Sequence, residues 1–344
     1  MGRCWRSRLS AIAVLCSLVT GCPPAQAEEP KDLTALSLEQ LMALDVLSVN
    51  VLGTHIHPAG QWMIGYEYMY DKMQGNLQGT QSVSNSTVLE TYNVSPTDMT
   101  MQTNMAMMMY APTDDLTLKV MLPYIIKSMN HVTRDGTQFQ EHSEGLGDAE
   151  VHALYTLLGK EGVRHRLILN AGVIFPTGSI NQSMGTSRLE YTMQLGSGTF
   201  ALIPGIAYLG QGERVAWGAE FLPILRVGQN SNGYRLGNVY DLSGWGALKL
   251  TNWLSLTGEA DAQQWGNIHG QDPTLDPTDE PTKNVSAQGG QRVDLLIGLN
   301  AYFPTGATTG LRLAIQVGAP VYQSLDGPQL QTTWILRAGL QWTF

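Results

Sequence analysis

Charge is scarce in this 344-residue chain: Asp, Glu, Lys and Arg make up 14% of it, against about 25% in soluble globular domains. Long apolar runs are also missing. After residue 28 none approaches the ~18 apolar positions of a membrane-crossing helix. Cysteine is confined to Cys4, Cys16 and Cys22. If residues 1–27 are removed, no disulfide, thiolate nucleophile or cysteine metal site is available. The net charge of −9 runs against a nucleic-acid partner. What is present is glycine, 37 residues, and an ordinary hydrophobic content of 43%. Low charge without apolar runs fits a wall in which lipid-facing residues alternate with water-facing ones.

The final stretch, 329–344, shows that alternation most clearly. Leu330, Trp334, Leu336, Ala338, Leu340, Trp342 and Phe344 share one face, with Thr332 the polar exception. The other face carries Gln331, Thr333, Ile335, Arg337, Gly339, Gln341 and Thr343. Period two marks a strand, and this one is long enough to cross a bilayer. A lone amphipathic strand cannot lie in lipid, because its ladder groups would be unpaired there; a closed barrel satisfies them. The ending on Trp342 and Phe344 resembles the C-terminal assembly signal of bacterial outer-membrane barrels. That implies the barrel-assembly machinery as a partner. A soluble sandwich ending on the same strand is the alternative.

Arg3, Arg6 and Arg8, the apolar stretch 9–20 and Ala25-Gln26-Ala27 make a secretory signal peptide, residues 1–27. Val19-Thr20-Gly21-Cys22 offers a lipobox instead, with Cys22 as a lipidated N-terminus. Residues 28–58 read as a periplasmic segment. Leu33, Leu36, Leu38, Leu41 and Leu44 are near helical spacing, and Ser37 with Gln40 makes a capping box, so a short helix is expected over 32–46. A plain linker is the alternative.

Residues 59–344 read as the barrel. Alternating strands are expected at 61–70, 98–110, 116–127, 147–158, 165–175, 199–209, 215–228, 239–250, 253–265, 291–303, 311–322 and 329–344. The expected fold is therefore all-β: a single antiparallel transmembrane barrel of about twelve strands. Ten or fourteen remain open. Connections after odd strands are long and those after even strands short, apart from the last. Short periplasmic turns and long extracellular loops produce this sorting. The segments 71–97, 128–146, 176–198 and 266–290 should then face outside. Segment 266–290, with Pro273, Pro277 and Pro281 and clustered acids, has little to bury and should be the least ordered. Its acids should lie against lipopolysaccharide phosphates. Segment 176–198, with Met184, Leu189, Tyr191, Met193 and Leu195, should fold inward and constrict the lumen.

Alternation gives the inner face Glu67, Lys119, Glu150, His152, Arg166, Glu220, Arg226, Lys249, Arg292, Asp294, Arg312 and Arg337. These line a hydrated lumen or pair across it. Strand two is rich in methionine, at 99, 101, 105 and 107–109. Thioethers bind soft ions such as Cu(I), and they also fill adaptable apolar surfaces. His55, His57 and His131 lack a convincing third ligand in the sequence, so no metal site and no cofactor is assigned. Nothing sets a serine at matched height beside His152, and Gly145-Leu146-Gly147-Asp148 lacks the lysine of a phosphate loop. Catalysis is not expected.

Glu144-Gly-Leu-Gly-Asp148, opening a strand with Val151, Ala153 and Tyr155, and Phe175-Pro-Thr-Gly178, closing the next, resemble the barrel proteins of the phenol-degradation meta-pathway family. The similarity extends over 60–344. It implies a porin-like barrel in the Gram-negative outer membrane that passes small hydrophobic or aromatic solutes. A copper-related protein using the methionine strand, or a structural barrel with a filled lumen, are the alternatives.

Overall fold

The computed structural model describes residues 54–159, 164–303 and 309–344. The signal peptide, the Cys22 alternative and the helix expected over 32–46 fall outside these residues.

Among the described residues, eleven strands make the wall: β1 (Trp62–Gly79), β2 (Val94–Thr113), β3 (Leu116–Thr133), β4 (Ala149–Leu158), β5 (His165–Phe175), β6 (Phe200–Gln211), β7 (Val215–Val227), β8 (Val239–Lys249), β9 (Leu254–Trp265), β10 (Gly290–Phe303) and β11 (Leu311–Thr343). Each pairs antiparallel with the next, and β11 pairs back with β1. A closed antiparallel ring needs an even number of passes. β11, 33 residues long, supplies the parity by reversing. Its 311–325 limb pairs with β10, and its 329–343 limb pairs with β1. Gln323 ties the limbs together: its Nε2 donates to Thr332 O and its Oε1 accepts from Thr332 N, both at 2.9 Å. The wall thus has twelve passes. Closure is completed where Trp62 and Phe344 exchange N–H···O bonds of 2.9 Å in both directions.

The pleat sorts side chains by period two. On β2, Met105, Met107 and Met109 are buried inside, while Met108 between them is 46% exposed. Outward positions around the ring are apolar and exposed, including Val120, Leu122, Leu169, Ile206, Leu295, Ile297, Ile315 and Val317. Soluble proteins do not leave such a belt in water. Aromatics flank it, as in other membrane barrels: Trp62, Trp217, Trp253 and Trp342 at the short-turn end, Phe175, Phe200 and Tyr240 at the other. The protein is an outer-membrane-type β-barrel.

The long-loop end departs from the sequence reading. β1 runs on to Gly79 and β3 to Thr133, well past the expected ends. Beyond the bilayer, strand pairing no longer requires apolar side chains, so alternation could not mark where it stops. Segment 71–97 holds a helix, α1 (Asn85–Thr91), whose Ser84 cap accepts from Thr87 N at 3.1 Å. Segment 128–146 contains a further strand, Gln138–Leu146, folded back on β3.

Candidate functional site

The lumen is organised in layers. At the short-turn end, Met63, Met107, Met109, Leu154, Ile168 and Ala207 form an apolar cluster joined by Ile56. Residues 54–58, read from the sequence as part of the segment preceding the barrel, enter the lumen here. Thr54 Oγ1 donates to Glu220, His57 N donates to Thr117 Oγ1 at 3.1 Å, and His57 is buried. Burial, reinforced by the Arg312 charge, pulls the His57 imidazole down to about 4, so it is neutral at physiological pH.

Charged side chains fill the next layer. Arg337 bridges Glu259 at 3.0 Å and Asp261 at 3.1 Å. Arg292 meets Asp294 at 2.8 Å and donates to Thr332 Oγ1 at 2.7 Å. Glu67, fully buried, is within electrostatic reach of Arg337 and Lys119. Lys119, itself buried, faces Glu220 and Glu150. His152 touches Glu150 at 3.1 Å and Asn170 at 2.9 Å, so both ring nitrogens are engaged without a serine. Arg226 is half-buried near Asp148 and Glu150. Arg166 and Lys249 are half-buried, and Arg312 stands 5.6 Å over the Tyr302 ring. Buried charge without such partners would be costly.

Above this layer is a cavity of about 490 Å³. Its wall includes Met105, Ile125, Ile174, Ile224, Arg226 and Trp265, and its roof is residues 191–197. The roof is the 176–198 segment, folded inward: Leu189, Tyr191, Met193 and Leu195 are buried, as its apolar content suggests, whereas Met184, expected to join them, is 48% exposed on the short Ser183–Met184 strand. Met193 packs on Met99 and Met129, with Met73, Met101 and Leu330 around them.

Polar anchors hold the roof. Lys127 Nζ donates to Thr192 O at 2.8 Å and Gln194 O at 2.7 Å. Ser143 Oγ donates to Met193 O at 2.7 Å. Asp148 accepts from Gly178 N at 2.9 Å, Ser197 N at 2.8 Å and Ser197 Oγ at 2.6 Å. Thr177 Oγ1 donates to Gly147 O and accepts from Ala149 N, both 2.8 Å. The backbones approach so closely that a Cβ on Gly178 would lie 2.7 Å from Gly196 Cα and 2.9 Å from the carbonyl carbon of Gly147. The two motifs singled out in the sequence, ending at Asp148 and Gly178, are therefore one clasp.

Segment 266–290 overturns the expectation of disorder. Asp272, Leu275, Glu280, Thr282, Ala287 and Gln288 are buried in it. Its acids find internal partners. Asp272 meets Arg188 at 2.7 Å, and Asp279 meets Lys283 at 2.7 Å. Burial pushes Asp272 up, but hydrogen bonds from Thr274 and Arg188 outweigh it and hold the carboxyl below its usual range. Leu275 and Ile268 pack with Tyr191 and Tyr234. The order comes from the neighbouring loops, which the segment's own composition cannot reveal.

A second cluster lies at the same end. His131, Glu190 and Glu280, all buried, offer ligand atoms within 4.8 Å of one another. His131 had no third ligand in the sequence; two loops far along the chain deliver carboxylates to it. No spacing rule could have brought them together.

No family model and no curated protein matches the chain. Among solved structures, the COG4313 outer membrane channel from Pseudomonas putida F1 aligns at 15% identity with a TM-score of 0.59, over 86% of this chain and 100% of that one. A Pseudomonas aeruginosa FadL homologue aligns at 10% identity and TM-score 0.39, over 82% and 89% of the two chains. The Ralstonia pickettii toluene transporter TbuX aligns at 10% identity and TM-score 0.40, over 84% and 90%. The first likeness is one of fold.

Proposed function

We propose that this barrel is an outer-membrane channel or transporter for small hydrophobic or aromatic solutes. The observation that carries the reading is the cavity beneath the roof. Its 490 Å³ is in the size range of small-molecule sites. Aliphatic side chains, Met105, Tyr191 and Trp265 line it, together with Glu150, Arg226 and the roof anchors Lys127 and Asp148. Methionine side chains reshape readily around apolar guests. The outer-membrane channel of Pseudomonas putida F1 lends its fold to the same reading. With the long loops outside, as the barrel rule has it, a solute enters past the roof and leaves past residues 54–58. Both must give way, in turn, in each passage. As partners we propose lipopolysaccharide at the loops and the barrel-assembly machinery at the last strand.

The test is planar-bilayer conductance of the purified protein, with phenol, toluene and glucose as added solutes. Aromatic solutes should occlude the current and glucose should not. Ile224→Trp, which fills the cavity without touching the ion pairs, should abolish occlusion. A barrel that neither conducts nor binds the aromatics would be a filled, structural one.

A further inference from the structure

We propose that His131, Glu190 and Glu280, with Glu141 as fourth donor, bind one divalent transition-metal ion that pins the roof of the barrel. Each ligand arrives on a different element: His131 at the upper end of β3, Glu141 on the strand Gln138–Leu146, Glu190 at the roof's 3-10 turn, and Glu280 at the start of Pro281–Lys283. All four side chains are buried.

A cluster of acids alone would not identify a site. The decisive observation is what the buried atoms lack. Both ring nitrogens of His131, Oε2 of Glu141, Oε2 of Glu190 and Oε1 of Glu280 have no aligned hydrogen-bond partner. His131 Nε2 lies 2.8 Å from Glu280 Oε1, yet the pair is not aligned as a hydrogen bond. Desolvated carboxylates left unpaired are among the costliest groups in a protein. Lys283 reaches Glu280 only at 3.6 Å and is shared with Asp279 at 2.7 Å. Lys127 is committed to the carbonyls of Thr192 and Gln194. A dication between the four groups would supply the missing charge.

The donor set selects the ion. Imidazole nitrogen with carboxylate oxygens suits zinc or manganese, whereas calcium prefers oxygen alone. Tetrahedral ligands at ~2.1 Å from zinc stand about 3.4 Å apart. The observed spread of up to 4.8 Å among the His131, Glu190 and Glu280 atoms closes to that with small side-chain movements, and Glu141, close enough to Glu190 to share a proton with it, completes the set. The His131 ring is already held, stacked on Phe139 at 4.8 Å and 10°. Because Glu190 adjoins the turn that carries Tyr191 and Met193, the ion would fix the roof over the cavity.

The experiment uses the full chain refolded in detergent, stripped with chelator and reloaded with Zn²⁺ or Mn²⁺. We expect one equivalent to be retained after dialysis. The zinc X-ray absorption spectrum should show nitrogen and oxygen neighbours only. Chelator should lower the unfolding temperature of the loaded protein. Glu190→Gln and His131→Gln should each weaken retention on the order of a hundredfold and remove the chelator effect. Should either variant fail to fold, the wild-type stoichiometry and spectrum decide. Sub-stoichiometric metal with an unfolding temperature indifferent to metal and chelator would overturn the proposal, leaving a proton shared by Glu141 and Glu190. Sulfur neighbours would also overturn it. The assay reads binding and not passage, so its failure leaves the channel reading standing, and the reverse holds.

Discussion

The Asp148 carboxylate accepts both the backbone N–H and the hydroxyl of Ser197, at 2.8 and 2.6 Å. With Gly178 N on the other oxygen, one side chain clasps both ends of the inward-folded segment. Hydrogen bonds to a charged group contribute roughly 1.5–3 kcal/mol each. Asp148→Asn should therefore loosen the roof and raise single-channel conductance. Ser197→Ala, which removes one bond and no charge, should do the same more weakly. Unchanged conductance in both would show that the roof is held elsewhere.

Arg188 and Asp272 join the two longest loops at 2.7 Å. Protease added to intact cells should spare both 176–198 and 266–290 in the native protein. Arg188→Ala leaves a buried carboxylate without its cation, costing roughly 1–3 kcal/mol. Cleavage should then appear within 266–290 first, read by mass spectrometry of the released fragments. Cutting of that segment in the unaltered protein would contradict its packing.

Much of the wall was legible in the sequence because a pleat with lipid on one side imposes strict alternation. From Trp334 onward the last strand announced its faces, but a register shift opposite Lys72 and Met73 turns Thr332 towards Arg292 and Leu330 onto the Met193 cluster, an inversion that strict alternation could not foresee. The loops were not legible. Asp272 looked like one acid among several, and only the fold sets it beside Arg188. The Asp148 and Gly178 motifs stood out as residues, but their joint task required two backbones to meet. His131 has no ligand partner at any recognisable spacing, because Glu190 and Glu280 come from loops far along the chain. Long-range side-chain convergence leaves no periodic trace.

His57 gives a pH dependence. Its folded value, about 4, lies below its ordinary value of 6.5. The unfolded chain then binds more protons between those values, so stability falls as pH drops from 6.5 towards 4. The difference amounts to about 3 kcal/mol at most. Hydrogen exchange of residues 54–60 should accelerate over that window, while the β2–β3 ladder stays protected. In His57→Asn the pH dependence should vanish; if it persists, another group carries it.

Phe344 closes the ring. Its N–H and C=O both bond to Trp62 at 2.9 Å, and its ring tilts against Trp342 at 5.4 Å. Deleting Phe344 removes one rung of the closing ladder and the last aromatic of the girdle. The truncated chain should insert poorly and accumulate as a protease-sensitive periplasmic form. Heat-modifiable migration on gels reads this directly, and a normal shift would count against an assembly role.

The methionines supply the last contrast. Met105 and Met107 point into the lumen, and Met101 packs against the Met99, Met129 and Met193 cluster. As apolar filling, they should tolerate replacement by leucine, since Leu keeps volume and hydrophobicity at a cost below about 1.5 kcal/mol per site. As soft-metal ligands they should not, because leucine has no lone pair to offer. The triple variant Met101→Leu, Met105→Leu, Met107→Leu should fold, conduct and be occluded by aromatic solutes like the parent, with a modestly lower unfolding temperature. Its Cu(I) titration should match the parent's. Loss of copper binding with passage intact would move the lumen's methionines from lining to ligation.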